Sequence, residues 1–217
     1  MKLVIVAATG GIGRLALQRA MDDGHQVVAV VRDPGKLPDG VSSVKADLMN
    51  PDPVVLGEAM RGADAVVSGL GPAAKSGIGV AATGTRAIVE AMRTTGVQRL
   101  VVVSAAPVGT VSSPARPKPP KHDPGEGIVM RHLLTPVIKR VFRDNYRDLA
   151  EMEDVLRASG LEWTVVRPPR LLDKPAAGYR TAVDRNVRGG AVVSRADVAD
   201  YLLVAIGKPE TVGHTIG

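Results

Sequence analysis

The feature that most constrains this chain is a glycine-rich turn that directly follows an apolar run. Leu3–Ala7 is rich in β-branched residues and predicts a buried strand, and a helical pattern continues beyond the turn. The turn consists of Ala8, Thr9, Gly10, Gly11, Ile12 and Gly13, with Arg14 beside it. Glycines let a backbone approach phosphates closely, and the free N–H groups of a first helical turn attract anions. The order strand, turn, helix therefore predicts a pyrophosphate site.

Composition narrows the class of protein. The 217 residues, 45% of them hydrophobic, predict one domain with a substantial core. The chain has no cysteine, which excludes disulfides and thiolate metal sites, and no other residue cluster predicts a metal. No run reaches the roughly 18–20 apolar residues of a membrane span, and the first apolar run is better explained as a strand than as a signal peptide. We therefore expect a cytoplasmic protein.

The net charge of +6 raises the question of nucleic-acid binding. Aromatic residues make up only 2% of the chain, which leaves few platforms for stacking bases. We expect no nucleic-acid partner, and we interpret the basic surface as one that attracts an anionic cofactor.

Apolar runs alternate with helical patterns along much of the chain. The predicted strands are Leu3–Ala7, Gln26–Val31, Ser42–Lys45, Ala63–Val67, Leu100–Ser104 and Glu162–Val166. The predicted helices are Gly11–Asp23, Asp52–Met60, Val80–Thr95 and Asp144–Ala158. Near-continuous Val, Ile and Leu strands with helices between them are typical of a parallel sheet covered on both faces. The sequence thus predicts an α/β fold, a Rossmann-type doubly wound parallel sheet in three α/β/α layers.

The second half of the chain is less regular. Pro107–Gly127 is rich in Pro, Gly, Ser and Lys and predicts a lid or binding loop. A helix is expected within Ile128–Val141, short strands at Tyr179–Val183 and Ala191–Val193, and a last helix that Ser194 caps. We expect a single domain over 1–217, with a cofactor-binding half (1–106), a lid-like loop (107–127) and a substrate-side half (128–217) that includes a small C-terminal lobe.

The end of the second strand predicts which nucleotide binds. Sites for NAD place a carboxylate there, about 20 residues after the glycine turn, to bind the ribose 2′-OH. Arg32 holds that position, and a guanidinium can instead bind a 2′-phosphate. Lys36 and Arg14 are near enough to assist, whereas Asp33 could still reach a 2′-OH. The pattern favours NADP(H) over NAD(H).

Two further loops follow strands on the same predicted edge. Asp47 and Leu48 come after the third strand, where the aspartate and a backbone group could hold the adenine amine. Gly69, Leu70 and Gly71 come after the fourth, where glycines allow close approach to a ribose. We predict that both loops line the cofactor site.

Several segments resemble the extended and atypical short-chain dehydrogenase/reductases. Ala8–Gly13 resembles their Gly-Ala-Thr-Gly-x-x-Gly turn, and Val31–Asp33, Asp47–Leu48, Val101–Ser104 and Ser159–Pro168 match further family segments. The chain is most similar to the branch with the biliverdin-IXβ and flavin reductases and the NmrA-like proteins. The resemblance implies a Rossmann fold and NAD(P)H binding. Ala7 replaces the family's first glycine, and because it adds one methyl group we expect a tighter but intact turn.

A second departure from the family concerns catalysis. Typical members carry Tyr-x-x-x-Lys on the helix after the fifth strand, with tyrosine as proton donor. Here Tyr146 is followed four residues later by Ala150, and no lysine occurs in Asp144–Arg157. Tyr146 remains a candidate proton donor, with a packing role as the alternative. The resemblance also implies that Ser104 contacts the nicotinamide or the substrate, with local backbone bonding as the alternative.

The turn after the sixth strand faces the expected nicotinamide position. Prolines stiffen it, and the backbone around Arg167 and Pro168 could fix the carboxamide. Arg167 or Arg170 could attract an anionic substrate, or could pair with a helix carboxylate such as Glu151 or Glu153.

Three functions fit these patterns. The first is an NADPH-dependent oxidoreductase that transfers hydride to a small planar conjugated acceptor, such as a flavin, quinone, tetrapyrrole or carbonyl, without a Tyr-Lys dyad. The second is a non-catalytic NAD(P)-sensing regulator of the NmrA-like kind. The third is an epimerase with a retained nicotinamide, which the missing dyad disfavours. A small-molecule substrate is expected, and either a monomer or a homodimer is compatible with the sequence.

Overall fold

The apolar runs assemble into a parallel sheet in a computed structural model that describes residues 1–72, 77–125 and 140–217. The strands are β1 (Lys2–Val6), β2 (Gln26–Val31), β3 (Ser42–Lys45), β4 (Ala65–Ser68), β5 (Arg99–Val103), β6 (Glu162–Val166), β7 (Arg170–Leu172), β8 (Val192–Ser194) and β9 (His214–Ile216). Within the described residues, seven of them form one sheet in the order β3-β2-β1-β4-β5-β6-β9, and every pairing is parallel. Strands β7 and β8 pair separately. The predicted doubly wound sheet is confirmed.

Helices cover both faces of the sheet. They are α1 (Gly11–Asp22), α2 (Pro53–Met60), α3 (Val80–Thr95), α4 (Arg143–Arg157) and α5 (Arg195–Ile206). Val4 and Val6 of β1 pack with α2, α3 and α4, while Leu3 and Ile5 pack with α1 and α5. This alternation follows from the two-residue period of a strand and produces the predicted three layers.

The strand register brings the carboxyl ends of the strands to one edge. Val6 lies beside Val30 on one side and Ser68 on the other, and Ser68 lies beside Val102, which pairs with Val165. On each central strand, the predicted site residues lie one or two positions beyond this row of paired residues. Open parallel sheets bind ligands at this edge, where the strand order reverses between β1 and β4.

The second half differs from the sequence prediction in places. The predicted strand Tyr179–Val183 is wrong, because only Val183 forms a bridge there, with Ile216. The strand that pairs with β8 is β7, which follows the prolines predicted as a turn. The predicted helix within Ile128–Val141 falls mostly on 128–139, outside the described residues. The remaining predicted strands and helices recur with their ends shifted by at most two residues.

None of the helices in the described part of the chain is both long and apolar enough to span a membrane.

Candidate functional site

The glycine turn forms a tight bend between β1 and α1. The Gly10 amide donates to the Ala7 carbonyl at 2.8 Å, and Ala7 adopts the left-handed region with φ 59°. That conformation costs a non-glycine residue roughly 1–2 kcal/mol. The turn is therefore intact, and replacing glycine with Ala7 strains its backbone. A Cβ at Gly13 would come within 2.1 Å of the Ala7 carbonyl oxygen, so only glycine permits this close approach of helix to strand.

The first turn of α1 is open toward an anion. Its N-cap is Gly10, no acidic residue lies in its first turn, and no side chain among the described residues caps it. Amides left without a side-chain acceptor at a helix N-terminus are suited to phosphate oxygens. The structure therefore fits the predicted pyrophosphate cradle, with Arg14 exposed just beyond it.

The end of β2 presents one unengaged cation. Arg32 is exposed, and its guanidinium has neither a hydrogen-bond nor an ion-pair partner among the described residues. The Asp33 carboxylate accepts from the Gly35 amide at 3.2 Å and lies 3.7 Å from the Lys36 ammonium. Asp33 therefore caps its own short turn, whereas the neighbouring Arg32 is exposed.

The loops after β3 and β4 use their side chains for structure. Asp47 accepts from the Met49 amide at 3.1 Å. Leu48 and Leu70 are buried, and a Cβ at Gly84 would come within 2.6 Å of Leu70 and 3.0 Å of Leu48. Leu48 and Leu70 therefore pack on α3, and only their backbone could contact a nucleotide. Gly69 continues the sheet through its amide to the Val6 carbonyl, with Gly71 exposed beyond it.

A buried ionic cluster lies behind the ends of β5 and β6. Glu153 of α4 is 1% exposed and accepts from the Ser104 hydroxyl at 2.9 Å and from Arg167 Nε at 2.8 Å. The Arg157 guanidinium donates to its other oxygen at 2.7 Å. Of the two roles considered for Arg167, the structure shows the pairing with a helix carboxylate. Its guanidinium anchors α4 to the sheet, and its backbone remains at the edge beside Pro168.

The Glu153 carboxylate is held in its charged form. Burial alone would raise its pKa, but the hydrogen bond and charge of Arg167, the charge of Arg157 and the Ser104 hydroxyl together hold it below the ordinary value. The Ser104 hydroxyl therefore points its proton at Glu153 and presents lone pairs elsewhere.

A large, mostly apolar cavity of about 1020 Å³ opens at the same edge of the sheet. The ends of β5 and β6 supply one wall, and β7, β8 and the chain between them supply the other. Among the lining residues are Ala105, Pro107, Tyr146, Pro168, Arg170 and Val192. Ser104 lies next to this lining rather than within it.

Tyr146 lines the cavity, and the position four residues on, where a Tyr-x-x-x-Lys pattern would place a lysine, is Ala150. Tyr146 is half-buried, and burial raises the pKa of its phenol above the ordinary value of 10.0. The residue one turn on, Ala150, is fully buried. The phenol thus stays protonated at neutral pH and is a weak acid.

Buried aspartates hold the far wall of the cavity in place. Asp197 accepts from the amides of Ala177 and Gly178 and from the Ser194 hydroxyl, and its own amide donates back to Ser194 at 2.9 Å. This confirms the predicted cap of α5. Asp123 in the predicted lid-like loop accepts from the Asn186 amide at 2.9 Å, so the described part of that loop is docked on this wall.

Sequence reasoning missed the part played by Arg195. It is the first residue of α5, and a Cβ at Gly11 would lie 3.1 Å from both its Cδ and its Nε. No local spacing links positions 11 and 195, so only the packing of α1 beside α5 reveals that this arginine adjoins the glycine turn.

Comparison with known proteins identifies the family and the fold. A family model described as NAD(P)H-binding matches residues 7–209. A protein of Schizosaccharomyces pombe is 27% identical over 215 residues, which cover 93% of this chain and 84% of that protein.

Solved structures share the whole fold. ChuY, named as an anaerobillin reductase from Escherichia coli, has a TM-score of 0.75 at 22% identity. The alignment covers 100% of this chain and 96% of the ChuY chain. A short-chain dehydrogenase/reductase of Veillonella parvula, solved in complex with NADP, has a TM-score of 0.73 at 18% identity, with coverage of 100% and 93%. These likenesses show the Rossmann-type fold.

Proposed function

Because this chain belongs to the NAD(P)H-binding family, whose model spans residues 7–209, we propose that it is an NADPH-dependent reductase of a planar conjugated acceptor. The class includes flavins, quinones, tetrapyrroles and conjugated carbonyls. The observation that carries the proposal is the apolar cavity of about 1020 Å³ beside the turns after β5 and β6. Its volume suits an extended ring system better than a small alcohol.

Each part of the cofactor has its own set of residues. Gly10–Gly13 and Arg14 would hold the pyrophosphate, and Arg32 with Lys36 the 2′-phosphate. Asp47, Leu48 and Gly69–Gly71 would line the adenosine, and Ser104, Arg167 and Pro168 the nicotinamide side. Their backbone groups at the strand ends support this assignment, because parallel strands present them along one edge.

The bound nicotinamide would supply a hydride, and the protein would supply orientation. The apolar cavity walls would pack against the acceptor and exclude water from it. Arg170, which is exposed at the rim, would attract an anionic acceptor. Tyr146 keeps its proton at neutral pH and contributes a hydrogen-bond donor rather than an acid matched to that pH. Flavins, quinones and tetrapyrroles can take the accompanying proton from water, so no Tyr-Lys dyad is required. The ChuY reductase and the Veillonella NADP complex, which share this fold, support the same reading.

The test is NADPH oxidation with a panel of a flavin, a quinone, biliverdin and an aromatic aldehyde. We expect turnover with at least one of them, and we expect Val192→Trp in the cavity to lower kcat/KM about tenfold or more while NADPH affinity stays unchanged. Val204→Trp, at an exposed position away from the cavity lining, is the matched control. Tight NADPH binding without turnover on any acceptor would contradict the proposal and favour the NAD(P)-sensing function.

A further inference from the structure

Arg195 occupies an unusual position for a cation. It follows the N-cap Ser194 as the first residue of α5, where the helix dipole disfavours positive charge. It also approaches the N-terminal turn of α1, because Cδ and Nε lie 3.1 Å from where a Gly11 side chain would begin. Two helix N-termini and a guanidinium thus converge in one place. Such a concentration of positive charge and helix N-termini is typical of a site that binds an anion.

The acid that faces this cluster is weakly held. Arg195 Nη1 contacts Asp173 Oδ1 at 2.7 Å, and the Asp173 side chain is 87% exposed whereas that of Arg195 is 29% exposed. Exposed ion pairs of this kind contribute little stability. A doubly charged pyrophosphate held by the adjoining amides would therefore compete well for the same guanidinium.

From this arrangement we infer that Arg195 is a cofactor-binding residue that exchanges Asp173 for the pyrophosphate of NADP(H). The inference rests on the proposed binding of NADP(H), and the Asp173 carboxylate stands in for a phosphate in the free protein. Leu172 and Lys174, on either side of Asp173, line the acceptor cavity. Binding of the pyrophosphate at the glycine turn would thus release Asp173, which lies in the opposite wall of that cavity.

The two partners should have opposite effects on affinity. Arg195→Ala removes a charge-assisted contact and should weaken NADPH binding about 10- to 100-fold. Asp173→Asn removes the competitor and should tighten NADPH binding about two- to fivefold. A purely structural ion pair would instead lose affinity with either change. In the double variant, the effect of Asp173→Asn should vanish.

The experiment is calorimetric titration of the full chain with NADPH, repeated with inorganic pyrophosphate as competitor. Arg195→Lys retains the charge and guards against misfolding, and Arg61→Ala at the opposite end of the sheet is the matched control. Wild-type affinity in Arg195→Ala, or weaker binding in Asp173→Asn, overturns the inference while leaving the reductase proposal intact. Normal binding effects without turnover would support the inference and contradict the reductase proposal. A wild-type chain that does not bind NADPH overturns both.

Discussion

At the scale of single residues, Arg32 and Asp33 at the end of β2 differ in which of their charges are already engaged. Arg32 has no partner among the described residues, whereas Asp33 caps a turn and adjoins Lys36. The sequence alone left these neighbours in competition for the ribose. In the structure the two residues differ, because the Asp33 carboxylate caps the local turn at Pro34–Lys36 while Arg32 is exposed.

Reversing the charge at Arg32 should reverse the cofactor preference. Arg32→Glu should weaken NADPH by about 1.5–3 kcal/mol, since it removes a charged hydrogen bond and adds repulsion, and it should spare or improve NADH. Fluorescence titration with both nucleotides measures this. Arg61→Glu, the same charge change at the opposite end of β1, controls for the altered net charge. Unchanged NADPH affinity in Arg32→Glu would show that the 2′-phosphate is bound elsewhere.

At the scale of secondary-structure elements, the local sequence predicts helices and strands that have a regular hydrophobic pattern. It does not predict elements that form only through contacts with distant parts of the chain. Strands β1 and β2 could be predicted because burial on both faces leaves a nearly unbroken apolar run. Helix α3 could be predicted because Gly96 ends it. Strands β7 and β9 have three residues each and pair across long stretches of chain. Arg99 was also missed, although it is buried and donates to the Ile206 and Glu162 carbonyls, tying the end of α5 to the sheet.

The attachment of α4 to the sheet should depend on Glu153. Replacing it in Glu153→Gln leaves Arg167 buried without its counter-charge, and we expect a loss of about 3–5 kcal/mol in the free energy of unfolding. Chemical denaturation measures the loss. Glu90→Gln removes an exposed carboxylate 4.0 Å from Arg93 and should cost at most about 1 kcal/mol. Equal costs for the two variants would contradict a supporting role for the buried cluster.

The same carboxylate gives a pH dependence whose sign is fixed. The folded pKa of Glu153 lies below its ordinary value of 4.5, because its arginine partners outweigh burial. The unfolded chain therefore binds this proton first as pH falls. The stabilisation is fully present above about pH 4.5 and is lost progressively below it as the folded pKa is passed. Glu153→Gln should lack this part of the acid transition, and an identical transition in both proteins would contradict the assignment.

At the scale of the whole molecule, the cofactor edge and the acceptor cavity have different origins. The edge follows from strand order and could be predicted, since the ends of successive parallel strands lie in register. The cavity could not, because its far wall is β7, β8 and the irregular chain between them, held by buried polar contacts. Asp123 and Asp197 make those contacts with backbone amides 63 and 19 residues away, a distance no sequence pattern encodes. For this reason the sequence predicts the nucleotide more specifically than the acceptor.

We propose that the glycine turn and Arg32 hold NADP(H) with its nicotinamide toward the cavity. A crystal structure of the protein soaked with NADP tests it most directly. We predict the pyrophosphate on Gly10–Gly13, the 2′-phosphate at Arg32, and nicotinamide C4 facing the space between Ala105–Pro107 and Pro168. A nicotinamide turned away from that cavity, or a 2′-phosphate without a contact to Arg32, would contradict this mode of binding.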